Sequence, residues 1–217
     1  MTGFESNDKP APWASLPGPW NEEPNRWSGQ FHGLQCVAVR DSYFGNWCGY
    51  AGIGPEHPLY GVDFKDDVPA PDSWRERRLD PAELGTLNVF LAALGRALNG
   101  DMPGHAPLAM LLGAHHGLTF AGELRDFDGW FFGFDCGHAG DYQPGSIAAI
   151  THAEAESGVY LFPRRTTPEQ RGEVYRTLEY TQLVCAHLAD QLAHWGVEAA
   201  EVASAALKKA QTAPYTT

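Results

Sequence analysis

The sequence predicts an α+β fold: a mainly antiparallel sheet, a helix inserted between its strands, and a long amphipathic C-terminal helix packed on the sheet. Three observations carry that expectation. Short apolar runs bounded by turn residues come first along the chain. A capped helical stretch then interrupts them near residues 80–99, and an apolar stripe at helical spacing runs to Gly196.

Residues 1–29 read as an extended arm. Pro12, Pro17, Pro19 and Pro24 forbid a regular helix, and Trp13, Trp20 and Trp27 are expected to tack the arm onto the body. The core domain is expected over residues 30–196. Leu34–Arg40 and residues 46–53 read as strands, and the turn Asp41-Ser42-Tyr43-Phe44-Gly45 joins them as a hairpin. Residues 54–74 are irregular, and Asp63, Asp66 and Asp67 lack the spacing and glycine of a calcium loop, so they read as a solvated acidic loop. Asp80 as cap, Pro81 at the first helical position and Glu83 three residues after the cap start a helix. Leu87, Leu91, Leu94 and Leu98 line one face of it, and Gly100 ends it.

Residues 108–120 read as a strand, then 130–136 as another, with a short edge strand at 159–162. Thr167-Pro168-Glu169-Gln170 is a capping box, and Val174, Leu178, Thr181, Cys185, Leu188, Leu192 and Trp195 follow as one stripe. A continuous helix to Gly196 is expected, with a short alanine-rich helix and tail over residues 197–217. The length and regularity of that stripe also suggest a homodimer through the helix.

Composition narrows the function. With 27 acidic against 15 basic residues the formal net charge is -12, and no dense Lys/Arg stripe offsets it, so direct nucleic-acid binding is not expected. No signal peptide and no run of ~18 apolar residues is present, which points to a cytoplasmic protein without a membrane segment. Cys36, Cys48, Cys136 and Cys185 form no CxxC pair and read as reduced thiols.

The chemistry concentrates in Gly133-Phe134-Asp135-Cys136-Gly137-His138-Ala139-Gly140-Asp141. A strand delivers two carboxylates, a thiol and an imidazole into a glycine-rich turn. A second histidine-bearing segment, Gly113-Ala114-His115-His116-Gly117-Leu118-Thr119-Phe120, is expected beside it.

Together with Gly49-Tyr50-Ala51-Gly52-Ile53-Gly54, His57-Pro58-Leu59-Tyr60-Gly61 and Tyr175-Arg176-Thr177-Leu178-Glu179-Tyr180, these segments resemble a family of small tailed-phage and prophage proteins. That family carries GYV, HPLYG, HGGLTY and GFDCxHxGD motifs in the same order, and the resemblance covers roughly residues 30–195. It implies a phage or prophage context, not a reaction. His116 stands where the motif has glycine, and the segment around residues 80–99 reads as an insertion.

Three functional readings follow, with His57, His115, Thr119, Asp135, Cys136, His138 and Asp141 as the constellation. In the first, His115, His138 and Asp141 hold a divalent metal (Zn or Mn) with one position open for an activated water. Asp135 then serves as general base or orienting group, and the protein is a metal-assisted hydrolase of a small substrate such as a nucleotide derivative. Thr119 and Cys136 complete the candidate catalytic set, and Tyr50, His57, His116 and Trp130 are candidate substrate contacts.

In the second, Cys136 is a nucleophile with His138 or His115 as base, although Asp135 and Asp141 disfavour its thiolate. In the third, the same polar groups make a non-enzymatic binding module that sequesters a small ligand or blocks a host defence protein. A purely architectural alternative has Asp135 and Asp141 capping turns. Glycines 113, 117, 133, 137 and 140 match no phosphate-loop pattern, and His32, His105, His152, His187 and His194 read as ordinary surface or helix residues.

Overall fold

In the computed structural model, which describes residues 12–70, 81–85, 104–158 and 168–195, the strands form one antiparallel sheet of five and a small second sheet. The strands of the large sheet are β1 (Arg26–Phe31), β2 (Leu34–Arg40), β3 (Trp47–Ile53), β6 (Phe120–Gly122) and β7 (Trp130–Asp135). Their spatial order is β1-β2-β3-β7-β6, and every neighbouring pair is antiparallel. The small sheet pairs β4 (Asp67–Pro69) with β5 (His105–Pro107). The helices are α1 (Pro81–Leu84), α2 (Pro144–Ser157), α3 (Pro168–Arg171) and α4 (Leu178–Ala193). An α+β fold with a mainly antiparallel sheet is the architecture found.

The side-chain period of two decides which face of the sheet is the core. Cys36 and Ala38 of β2, Ala51 and Ile53 of β3, and Phe132 and Phe134 of β7 are buried on one face. Helix α4 lies on that face through Tyr180, Thr181, Val184, Cys185, Leu188 and Leu192. Gly49 permits the close approach: a Cβ there would meet the Phe134 ring at 2.3 Å and Cys185 Sγ at 2.9 Å. The apolar stripe that prompted the homodimer is thus spent on the protein's own sheet, which removes the basis for pairing through that stripe.

Two of the three tryptophans fasten the described part of the N-terminal segment, and the third, Trp27, lies in β1. Trp13 and Trp20 are buried in the core within short 3-10 turns, and Trp20 stacks on Tyr142 at 5.5 Å. Glu23 anchors the arm to α4: Oε1 accepts from the Leu178 amide at 2.8 Å, while Oε2 accepts from Arg40 at 2.6 Å, Tyr175 at 2.8 Å and Trp47 at 3.1 Å. A carboxylate at the first turn also suits the helix dipole.

Three expectations need correction, and one helix was not anticipated. The sheet begins earlier than the pattern suggests, because Arg26–Phe31 pairs with β2 through a two-residue turn at His32-Gly33. Residues 108–112 are not a strand: Leu108–Met110 is a 3-10 turn buried on all sides, and only Phe120–Gly122 of this region is strand. The closing helix is broken, because Gly172 takes φ 67° after α3 and Thr177 caps a new helix by accepting from the Tyr180 amide at 3.2 Å. Helix α2, which begins at Pro144 and stops at Gly158 with φ 67°, has no counterpart in the sequence reading. The expected helix face at Leu87 to Leu98, the edge strand at 159–162 and the helix after residue 196 lie outside the described residues.

Candidate functional site

The two histidine-bearing segments meet at the N-terminal end of α4. After β7, the Cys136 amide extends the ladder by donating to the Trp47 carbonyl at 2.8 Å, and the chain then turns. Within that turn the Asp141 amide donates to the His138 carbonyl at 2.9 Å, and Gly140 takes φ 93°. A parallel bridge between Asp141 and Val174 draws the segment before α4 alongside, which delivers Arg176. From the other side, the Ala114 and His116 amides donate to the Glu83 and Ala82 carbonyls of α1, both at 2.8 Å. Gln191 clasps both backbone groups of Gly113 at 2.8 Å. The His115-His116 turn is therefore held by α1 and α4 together.

Asp141 is the centre of a buried network. Its Oδ1 accepts from Arg176 Nε at 2.9 Å, and its Oδ2 accepts from the His138 amide at 3.0 Å and pairs with His115 Nε2 at 2.7 Å. The Asp141 side chain is fully buried and His115 is 1% exposed. Burial alone would push the Asp141 carboxyl up, but the hydrogen bonds and charges of His115 and Arg176 outweigh it and hold the group below the ordinary carboxylate range. An ionised carboxylate only accepts, so His115 Nε2 carries the hydrogen. In the neutral imidazole, Nδ1 then accepts from the Tyr180 hydroxyl at 2.8 Å.

Two further imidazoles border this pair. His116 stacks on His138 with ring centres 5.0 Å apart, and its ring stands 4.6 Å from that of His115. Partial burial, reinforced by His115, lowers the His116 pKa and favours the neutral form that ligates metals. His116 also holds φ 52°, a left-handed conformation that the glycine of the resembled motif would adopt freely. His138 Nδ1 is buried without a hydrogen bond and lies 3.6 Å from Asp135 Oδ1. Asp135 Oδ1 in turn accepts from the Gly137 amide at 2.9 Å.

Among the described residues, two groups of His and Asp are placed so that they could hold a metal ion. One is His115, His116 and Asp141, whose ligand atoms lie within 4.8 Å of one another; the other is His32, Asp190 and His194. The first differs from the expected trio by having His116 where His138 was expected.

The remaining expected residues fall elsewhere. Cys136 is 1% exposed, and burial, assisted by the Asp141 charge, pushes its thiol well above the usual range, so it is neither accessible nor ionised for nucleophilic attack. Thr119 is exposed and uses its amide to extend the β6–β7 ladder to the Gly133 carbonyl at 2.9 Å. His57 is a clasp: Nδ1 accepts from the Leu59 amide at 3.1 Å, so Nε2 donates to the Leu192 carbonyl at 2.9 Å, at the other end of α4. Tyr50 packs edge-on against Phe120, and Trp130 donates to the Val62 carbonyl at the far end of β7. Neither reaches the histidine cluster through those contacts. Arg176 and Tyr180 are the residues that sequence reasoning missed as site members, although both belong to the Tyr-Arg-x-Leu-x-Tyr segment.

The fold and site together define an α+β protein with a buried carboxylate–imidazole pair opening onto two further imidazoles. No protein-family model, curated protein or solved structure matches the chain. No helix among the described residues is long and apolar enough to cross a membrane.

Proposed function

We propose that the chain is a metal-assisted hydrolase of a small phosphoester or amide, with a divalent metal such as Zn or Mn held by His115, His116 and Asp141. The observation that carries the reading is the convergence of these three ligand atoms within 4.8 Å. A mixed imidazole–carboxylate set suits a borderline transition metal, and three protein ligands leave room for water. The surroundings fit as well. With an ion on Nε2 the His115 hydrogen would sit on Nδ1 and donate to the Tyr180 hydroxyl, while Arg176 and the His138 amide would fix Asp141, as outer partners of metal ligands do.

The bound ion would lower the pKa of a water and polarise the scissile bond. His138, with Asp135 Oδ1 3.6 Å from its Nδ1, stands beside the cluster to carry a proton to the leaving group. The lowered His116 pKa keeps its lone pair available near neutrality.

A second reading has its own support. Both nitrogens of His115 and both oxygens of Asp141 are already hydrogen-bonded within the protein, which makes a rigid polar wall suited to binding a small ligand without a metal. The phage resemblance would make such a module an anti-defence protein. Elemental analysis of protein purified without chelator, combined with phosphoester and amide assays before and after metal removal, separates the two. The hydrolase reading expects Asp141→Asn to lose one metal equivalent per chain and at least about 100-fold in rate. Unchanged metal content in that variant overturns it. An unaltered small molecule released on denaturing metal-free protein establishes the second.

A further inference from the structure

Asp190 projects from the last turn of α4, and two imidazoles converge on its carboxylate. His194, four residues on and therefore on the same helix face, donates from Nδ1 to the Asp190 backbone carbonyl at 2.9 Å, with Asp190 Oδ1 3.1 Å away and Nε2 left to ligate. His32 reaches the same Oδ1 from the β1–β2 turn, with Nδ1 at 3.6 Å, and the two imidazole rings stand 5.9 Å apart. The three ligand atoms lie within 4.8 Å of one another.

The backbone at His32 is the second observation. His32 and Gly33 take φ 52° and φ 77°, the left-handed pair of a two-residue hairpin turn that favours Asn-Gly. A non-glycine residue there carries some conformational cost, and asparagine is the commoner choice at this turn position. Among the described residues only His32, His116 and Asp126 hold positive φ without being glycine, and the two histidines belong to the two His/Asp groups. In each group, a histidine occupies the strained position from which its ring meets the other ligands. Two pairs from exposed imidazoles to one partly exposed aspartate would add little to stability.

We propose that His32, Asp190 and His194 form a second metal site, selective for zinc or a similar borderline transition metal, that ties the β1–β2 turn to the C-terminal end of α4. Two imidazoles and one carboxylate provide three ligands, and water completes the shell. The site joins segments 158 residues apart in sequence between His32 and Asp190, so occupancy stabilises the folded chain by mass action. It shares no residue with the Asp141 cluster and stands whether or not that cluster binds metal.

Zinc titration by calorimetry, followed by thermal melting, tests this on the full chain. Wild type is expected to bind one equivalent more than either His32→Asn or Asp190→Asn, and Asp141→Asn is expected to retain that equivalent. Asparagine keeps the left-handed turn at 32 and is nearly isosteric with Asp190, so both variants are expected to remain folded, as circular dichroism checks. Zinc should raise the wild-type melting temperature more than that of His32→Asn. Equal stoichiometry and equal zinc-dependent shifts in wild type and His32→Asn would overturn the site.

Discussion

The two ends of α4 carry nearly the same cast in opposite environments. At the N-terminal end Asp141 is fully buried between His115 and Arg176; at the C-terminal end Asp190 is 16% exposed between His32 and His194, which are 43% and 47% exposed. Buried, the carboxylate has water replaced by fixed donors, and its charge must be met by partners or it cannot stay. With the imidazoles exposed and the carboxylate partly so, the same groups compete with solvent and hold one another weakly. Burial, rather than residue identity, makes the first cluster a framework and leaves the second dependent on an added cation.

The sharpest way to break that contrast is to remove one charge at each end. Asp141→Asn leaves Arg176 and His115 without their anion, and a loss of about 3 kcal/mol in unfolding free energy is expected. Asp190→Asn, measured by the same urea unfolding without metal, should change stability by no more than about 0.5 kcal/mol. Similar losses at both ends would undo the comparison.

Acid provides the next test. The Asp141 pKa is depressed by folding, so its stabilisation is present above the unfolded carboxylate value, about 4, and is lost as pH falls through the lower folded value. Wild type should therefore lose stability below about pH 4 more steeply than Asp141→Asn. Parallel curves would show that the carboxylate is not held as described. His116 acts in the same direction at higher pH: its depressed folded value makes acidification below about 6.5 destabilising, down to that folded value.

A smaller effect is expected at His116 itself. His116→Gly relieves a left-handed backbone and should leave stability unchanged or raised by up to about 1 kcal/mol, while metal binding at the Asp141 cluster falls. A variant that gains stability and keeps its metal would remove His116 from the ligand set. The smallest effect belongs to Cys136→Ala, for which hydrolysis should be unchanged within about twofold because the thiol is buried and protonated.

Legibility in the sequence followed how local the cause was. The β2–β3 hairpin was readable because Asp41 to Gly45 separate two strand-like runs, and the buried stripe of α4 was readable from its spacing. Residues 108–112 misled because an uninterrupted apolar run has no period, and burial on every side suits a 3-10 turn as well as a strand. Helix α2 was hidden for the opposite reason: it buries only Pro144, Gly145 and Ile147, so it leaves no stripe to detect.

At the site, the meeting of His115 with Asp141 was anticipated because both lie in motifs dense in polar groups. Arg176 and Tyr180 were missed because their roles depend on a bridge between Val174 and Asp141 and on the break at Gly172, neither of which has a local signature. Cys136 was overvalued for its neighbours in sequence, when its neighbours in space bury it.

The most direct test is an anomalous difference map at the zinc edge, from crystals of wild-type protein grown with zinc. The account predicts a peak bounded by His115, His116 and Asp141 at the N-terminal end of α4. A map whose peaks avoid that cluster, including one with density only at His32, Asp190 and His194, would contradict it.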